Sequence, residues 1–379
     1  MRLAMHAPAP RAHVAGGHVT CSTLRAVIKY IGSKRLLLPR IVAQVQGCAG
    51  VTSVLDVFSG TARVGHALKA AGYRVHANDH NAYAHVLAGC HVAADARRWR
   101  VKAARLLVEL GRVKGRPGWF TTTFCERARY LRPENGARVD AIRERIERLA
   151  LEPPLRAIAL TALMRAADRV DSTTGVQMAY LKQWAPRAFH ALELRMPEIL
   201  PGPGRATCLD ALVAVQRHAA DLVYLDPPYN QHSYLGNYHV WESLVRWDKP
   251  DVYGIAMKRT DVRTRTSVYN RPSTIGAALR AVVEAAQAKW LLVSFSDEGF
   301  LSLLDLRAIL ATRGRVREVS VDHPRYIGHQ IGIHDRQGRK VGTPGKARNR
   351  EHLFLVQVGA RGPGLRRVTP RVHRQAAGA

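Results

Sequence analysis

The chain has 379 residues, 47% of them apolar and 23% charged, which suits a soluble globular protein larger than one ordinary domain. Lys and Arg number 58 against 29 Asp and Glu, and a formal charge of +29 points to a polyanionic partner, since steering and phosphate neutralisation both scale with such an excess. A membrane partner is not expected, because no long apolar span, lipid-anchor motif or continuous apolar signal segment is present.

Cys21, Cys48, Cys90, Cys125 and Cys208 are scattered with no C-x-x-C pair, and the 17 histidines form no metal-binding spacing. These patterns argue for free thiols in a reducing cytoplasm, with neither a structural zinc site nor another metal.

In chain order, residues 1–24 are rich in Ala, His, Pro and Gly without period and read as a disordered leader. The first ordered text is Lys29-Tyr30-Ile31-Gly32-Ser33-Lys34, a Gly/Ser turn leading into an apolar helix, where Lys34 is placed to meet a carboxylate or phosphate. Ser53-Val54-Leu55-Asp56-Val57-Phe58 then has a buried-strand pattern, followed by Ser59-Gly60-Thr61-Ala62-Arg63-Val64-Gly65 and a helical run. Strand, tight Gly turn, helix is the opening of a Rossmann-like unit, in which small residues let the backbone approach a ligand. A second strand ends near Asn78, and Asp79 lies 19 residues beyond Gly60, close to the separation at which an acid reaches a ribose hydroxyl pair.

Gly60, Ala62 and Gly65 also fit a nicotinamide-dinucleotide spacing. Asp56, however, sits inside the preceding strand, two residues before Phe58, where it would repel a pyrophosphate and attract an amino group. S-adenosylmethionine, with its ammonium, sulfonium and ribose, fits that acid better.

From residue 95 to 204 the composition turns helical and Arg-rich, with helical periods over 139–151 and 155–167. Aromatic and basic residues interleave at Trp119-Phe120 and over 126–132, which suits either nucleic-acid contact or an amphipathic helix with a basic outer face. The sheet resumes with a short strand ending at Asp210, a helix over 211–219, and the apolar run Leu222-Val223-Tyr224-Leu225.

That run leads into Asp226-Pro227-Pro228-Tyr229. Two prolines end the strand and fix an acid and an aromatic ring at its carboxyl end, the edge where open α/β sheets bind ligands. A carboxylate and a prolyl carbonyl can each accept a hydrogen from an exocyclic amine, while an aromatic ring stacks on the base that carries it. A Pro-rich capping turn is the plainer alternative. Residues 230–239 have the composition of a mobile active-site loop, and Lys258, Arg259, Arg263, Arg265 and Arg271 follow as a candidate phosphate-contacting surface. A further buried strand covers 290–296, a helix containing Leu301, Leu304 and Leu310 follows it, and closing strands are expected at 316–321 and 352–358. The tail over 361–379 is basic and reads as unstructured.

Taken together, Tyr30-Ile31-Gly32-Ser33-Lys34, Asp56-Val57-Phe58-Ser59-Gly60, Asp79, Asp210, Asp226-Pro227-Pro228-Tyr229 and Phe295-Ser296-Asp297-Glu298-Gly299-Phe300 resemble, in order and spacing, the adenine-specific DNA methyltransferases of class α, the Dam-type arrangement. The resemblance implies an α/β fold, a Rossmann-like and mostly parallel methyltransferase sheet with an antiparallel edge strand and an inserted helical subdomain. The cofactor motifs would occupy 25–94, the target-recognition insert 95–204, and the second part of the methyltransferase domain 205–360.

The resemblance further implies S-adenosylmethionine as cofactor. Asp56, Phe58 and Gly60 would line its methionine side, Tyr30 and Ser59 would also belong to the cofactor site, Lys34 would lie near its carboxylate, Asp79 would take the ribose and Asp210 the adenine ring. Asp226, Pro227, Pro228 and Tyr229 would carry catalysis. Ala62 stands where the family often has Gly, which is tolerable if its φ is negative. The partners implied are duplex DNA and, in function rather than by contact, a cognate restriction endonuclease. Methylation of RNA or of a protein glutamine on the same fold is the nearest alternative, and a non-catalytic DNA-binding protein is a second.

Overall fold

The computed structural model describes residues 28–324, 333–334, 340–342 and 348–360. The expected leader, Cys21 and the basic tail lie outside the described residues. The central sheet contains β1 (Ser53–Asp56), β2 (Arg74–Asn78), β3 (Gly204–Thr207), β4 (Leu222–Leu225), β5 (Trp290–Ser296), β6 (Gly314–Pro324) and β7 (Arg348–Val358), in the order β3-β2-β1-β4-β5-β7-β6. From β3 to β5 all pairings are parallel, and β7 runs antiparallel to both β5 and β6. The reversed strand is therefore one in from the edge, with β6 outside it.

Burial on both faces explains the near-continuous apolar text of β4 and β5. Leu222, Tyr224 and Leu292 pack on one face against α1 (Leu38–Gln46) and α2 (Arg63–Ala70). Val223, Leu225, Leu291 and Val293 pack on the other against α10 (Pro272–Ala285) and α11 (Leu303–Ala311). Asp221, just before β4, accepts the backbone N–H groups of Thr52 and Ser53 at 3.0 Å each and so fastens the starts of two central strands.

The chain between β2 and β3 forms α3 (Ala82–Ala88), a π-helical turn (Gly89–Ala93), α4 (Ala96–Gly111), α5 (Pro133–Arg148) and α6 (Pro153–Arg169). These share an apolar core with α9 (His239–Arg246), through Leu87, Leu106, Ile142, Leu163, Trp241 and Leu244. Fully buried Arg143 on α5 donates to the carbonyls of Leu244 (2.7 Å) and Val245 (2.9 Å) at the end of α9. The helical layer thus rests directly on the segment that follows the Asp-Pro-Pro-Tyr turn.

Two sequence expectations need correction here. Residues 230–239 are no open loop: α7 (Ala211–Arg217) and β4 are followed by α8 (Tyr234–Asn237), and Leu235, Tyr238 and His239 are buried, because Tyr234 and Tyr238 both stack on Tyr30 at 5.2 and 4.7 Å. Leu301 precedes α11, which starts at Leu303 because the Ser302 hydroxyl accepts the Asp305 N–H at 3.1 Å and caps it. Among the described residues, no helix is long and apolar enough to cross a membrane.

Gly204 opens β3 where the helical layer returns to the sheet, and a Cβ there would collide with the Val92 carbonyl. We expect Gly204→Ala to lower the unfolding free energy by roughly 1–3 kcal/mol, measured by urea denaturation, and an unchanged midpoint would contradict the close approach.

Candidate active site

The site begins at the turn from β1 to α2. Ser59 N–H donates to the Asn78 carbonyl (2.9 Å), and Gly60 N–H donates to Asp79 Oδ2 (2.9 Å), so the ends of β1 and β2 are tied at the point where the chain turns. Gly60 has φ +50°, and a Cβ on it would approach the Tyr30 hydroxyl to 3.2 Å. Both facts favour glycine. Ala62, expected to be tolerable with a negative φ, instead adopts φ +60°, the left-handed region, at a cost of about 1–2 kcal/mol for a residue with a Cβ. Its methyl is fully buried beside Val64 and Leu68, and that packing offsets part of the strain.

The acids at the strand ends differ in how they are satisfied. Asp79 Oδ1 accepts the Asn81 N–H at 2.9 Å, so both its oxygens hold backbone, while burial keeps its pKa above the ordinary carboxylate value. Exposed Asp210 caps α7 by accepting the Leu212 N–H at 2.9 Å. Asp56 has 0% exposure, and neither of its oxygens receives a well-formed hydrogen bond. Burial, followed by the like charges of Asp226 and Asp79, pushes its pKa up to about 8, a rise that the Gly65 N–H at the start of α2 offsets only weakly.

At the Asp-Pro-Pro-Tyr turn, the Lys34 ammonium lies 3.0 Å from Asp226 Oδ1 and 3.3 Å from Glu351 Oε2. Burial acts against that ammonium, yet Asp226, Tyr229 and Glu351 together hold its pKa well above the usual lysine value. Burial also pushes the Asp226 pKa up, Lys34 pulls it back and Glu351 raises it again, giving about 6. The carboxylate that the sequence reading sought for Lys34 in the cofactor is therefore supplied by the protein. Glu351, which the sequence reading missed, also accepts from the Tyr229 hydroxyl at 3.4 Å. Its only signal is an acid opening the apolar run Leu353 to Val356 of β7.

A cavity of about 210 Å³ joins these parts. All the residues expected at the cofactor line it: Tyr30, Lys34, Asp56, Phe58, Ser59, Gly60, Asp79 and Asp210. Of the turn, Asp226 and Pro228 line it. Pro227 and Tyr229 do not: Pro227 is buried, and the Tyr229 ring packs against Phe295 with centroids 5.4 Å apart. The segment 265–270 closes one side, tied down where Asn270 Nδ2 donates to the Asn230 carbonyl at 2.7 Å.

Arg259 and Arg265, expected on a phosphate-contacting surface, are committed internally. Arg259 is 1% exposed and pairs with Asp248 and Asp261, and Arg265 pairs with buried Glu242 and with Asp261.

The cavity fits a ligand that is cationic near Asp56 and carries a hydroxyl-bearing ring near Asp79. An orphaned, fully buried carboxylate is costly unless a ligand completes it. S-adenosylmethionine has that donor set.

The strand order, with one reversed strand beside the edge, and the Gly turn between β1 and α2 define a Rossmann-like, mostly parallel α/β fold. The chain belongs to the D12 class N6 adenine-specific DNA methyltransferases, whose family model matches residues 30–299. It is 29% identical over 308 residues to the type II methyltransferase M.FokI of Planomicrobium okeanokoites, covering 76% of this chain and 47% of that protein. It is 30% identical over 313 residues to the modification methylase StsI of Streptococcus sanguinis, covering 78% and 47%. Against the type II methyltransferase M.NlaIII of Neisseria lactamica it is 28% identical over 313 residues, covering 79% and 92%. The chain thus spans about half the length of the first two relatives and most of the third.

The unpartnered Asp56 should cost stability when charged. Its folded pKa of about 8 lies above the unfolded value, so the chain is most favoured with Asp56 protonated and loses stability as pH rises through about 8. We expect Asp56→Asn to stabilise the ligand-free chain at pH 8.5 by roughly 1–3 kcal/mol, with the gain shrinking towards pH 5. Urea unfolding at the two pH values checks this, and a pH-independent difference would contradict it.

Proposed function

We propose that the chain transfers the methyl group of S-adenosylmethionine to the N6 amine of adenine at a specific site in duplex DNA, with the base turned out of the stack. The observation that carries this reading is a single cavity in which Asp226, at the end of β4, shares space with orphaned Asp56 and the Gly60 turn.

The bound cofactor supplies a methyl group made electrophilic by its sulfonium. Asp56 holds the cationic amino-acid end, Asp79 the ribose and Asp210 the adenine ring. Asp226 and the Pro227 carbonyl accept the hydrogens of the target amine, which directs its lone pair towards the methyl group. Lys34 holds Asp226 Oδ1 and lowers its pKa, so the carboxylate is ionised near neutral pH. Catalysis then comes mainly from orientation and polarisation, without a covalent intermediate. Tyr229 takes the base face only after leaving its packing on Phe295 or by presenting its edge.

DNA as the substrate is supported by family membership, by the net charge of +29, and by partly exposed cation–aromatic pairs beside the helical layer. The Arg129 guanidinium lies 4.7 Å from the Trp184 ring, and that of Arg132 lies 4.7 Å from Phe189, which is 61% exposed. In this reading, residues 95–204 recognise the target sequence, and the protein acts in the cytoplasm as the modification partner of a restriction endonuclease.

The test is incubation with methyl-labelled S-adenosylmethionine and unmethylated DNA, followed by digestion to nucleosides. Label is expected in N6-methyldeoxyadenosine. Label in methylcytosine, or only in RNA or protein, would overturn the reading. Asp226→Ala is expected to lower transfer by roughly 100- to 1,000-fold while cofactor binding persists.

The pH profile carries a second expectation. Transfer should rise with pH through about 6 as Asp226 ionises. Lys34→Met should move that limb to higher pH, and Glu351→Gln should move it to lower pH. Limbs that do not separate would show that Asp226 is not the titrating group.

A further inference from the structure

We infer that Arg63, with the hydroxyls of Ser33 and Ser59, is the counter-ion of the carboxylate at the amino-acid end of the cofactor, and that Lys34 is not. This rests on the proposed S-adenosylmethionine reading and names the anion subsite within it.

Lys34 is already committed within the protein. Its ammonium is already shared between Asp226 and Glu351, at 3.0 and 3.3 Å, so a third carboxylate there would add a negative charge to a locally negative group. Arg63 is in the opposite position. It is the first residue of α2, it is 8% exposed, and its Nε and Nη1 have no hydrogen-bond partner. The charges it feels are those of Arg35 and Arg165, both of its own sign, and no carboxylate among the described residues pairs with it. A guanidinium buried without a counter-ion at the positive end of a helix is unfavourable on two counts. An anion arriving from the cavity would relieve both.

The neighbouring orphans point the same way. Ser33 Oγ and Ser59 Oγ are buried without partners, and both residues line the cavity with Arg63. Asp56 lines it too, as an orphaned acceptor, and is not the partner of Arg63. Apart from the Tyr224 hydroxyl, the unsatisfied groups of the cavity thus separate by charge: the Arg63 cation with the Ser33 and Ser59 hydroxyls, which can donate, and the Asp56 carboxyl. A ligand that completes both sets carries a carboxylate and a cation a few bonds apart, as an α-amino acid does. A DNA phosphate does not meet this description, because Arg63 is buried and a phosphodiester brings no cation for Asp56.

The experiment is calorimetric binding to the full chain of two ligands, S-adenosylmethionine and its decarboxylated form, which keeps the ammonium, the sulfonium and the nucleoside. Wild-type protein is expected to prefer the carboxylated ligand by roughly 10- to 100-fold, the range of a charge-assisted contact. Arg63→Met should abolish that preference by weakening S-adenosylmethionine while leaving the decarboxylated ligand within a few-fold, and Lys34→Met should keep the preference.

Equal weakening of both ligands by Arg63→Met, a preference that survives it, or a preference lost in Lys34→Met would each overturn the assignment. If Arg63→Met does not fold, Arg63→Lys decides: the retained charge should keep the preference at several-fold lower affinity, and an unaltered affinity for both ligands would overturn the role of the guanidinium. Wild-type binding of both ligands with equal affinity would overturn the anion subsite alone. Wild-type binding of neither would overturn the cofactor reading together with it.

Discussion

Parallel strands end on the same side of a sheet, so whatever residues end them are forced into one neighbourhood. In this protein those residues are acids: Asp56 at the end of β1, Asp79 after β2, Asp210 after β3 and Asp226 after β4. Mutual repulsion in a partly dry cleft must be answered, and each carboxylate has a different answer. Asp79 is held by two backbone N–H groups, Asp210 by a helix cap and Asp226 by the Lys34 ammonium. Asp56 has only the weak contact of the Gly65 N–H, and its satisfaction is left to a ligand. The rest of the site follows from this uneven distribution, including the burial of Lys34 and the recruitment of Glu351 to share it.

The aromatic stack around Tyr30 connects this charge arrangement to the helical layer. Tyr30 approaches Gly60 on one side and stacks with Tyr234 and Tyr238, from the segment after the Asp-Pro-Pro-Tyr turn, on the other. The next helix, α9, is buried among α3, α5 and α6, with Glu242 accepting the Tyr83 N–H at 3.1 Å. A rearrangement of the helices on binding a nucleic acid would therefore be felt at the cofactor turn through packed rings and not through a flexible linker. The stretch over 230–239 is a structural joint as much as a wall of the cleft.

How legible this was in the sequence depends on the range of each interaction. The runs ending at Asp56 and Asp226, the turn at Gly60 and the acid at Asp79 are local patterns, and the sheet places them where such patterns imply. Asp210 was readable as a strand-end acid, though its capping of α7 was not. The Lys34–Glu351 contact joins residues 317 positions apart, made possible because β7 runs back against β5 and pairs Glu351 with Ser296. No spacing rule reaches that far, and Glu351 also lies beyond the stretch 30–299 that the family model matches. Arg63 was hidden for another reason: a basic residue in the first turn of a helix reads as surface charge until its burial is known. Arg259 and Arg265 show the same failure, since composition alone cannot separate an arginine that meets phosphate from one held by Asp248, Asp261 and Glu242.

Everything proposed for the site depends on Asp56 being a ligand-binding carboxylate kept uncharged until a cation arrives. Calorimetry of S-adenosylmethionine binding at pH 7, repeated in buffers of different ionisation enthalpy, counts the protons exchanged. With a pKa of about 8 in the free chain, Asp56 is mostly protonated at that pH and must ionise to meet the ligand. Release of close to one proton per ligand, disappearing in Asp56→Asn, is the expected result. Binding with no proton released, or with release unchanged in Asp56→Asn, would contradict the central role given to this carboxylate.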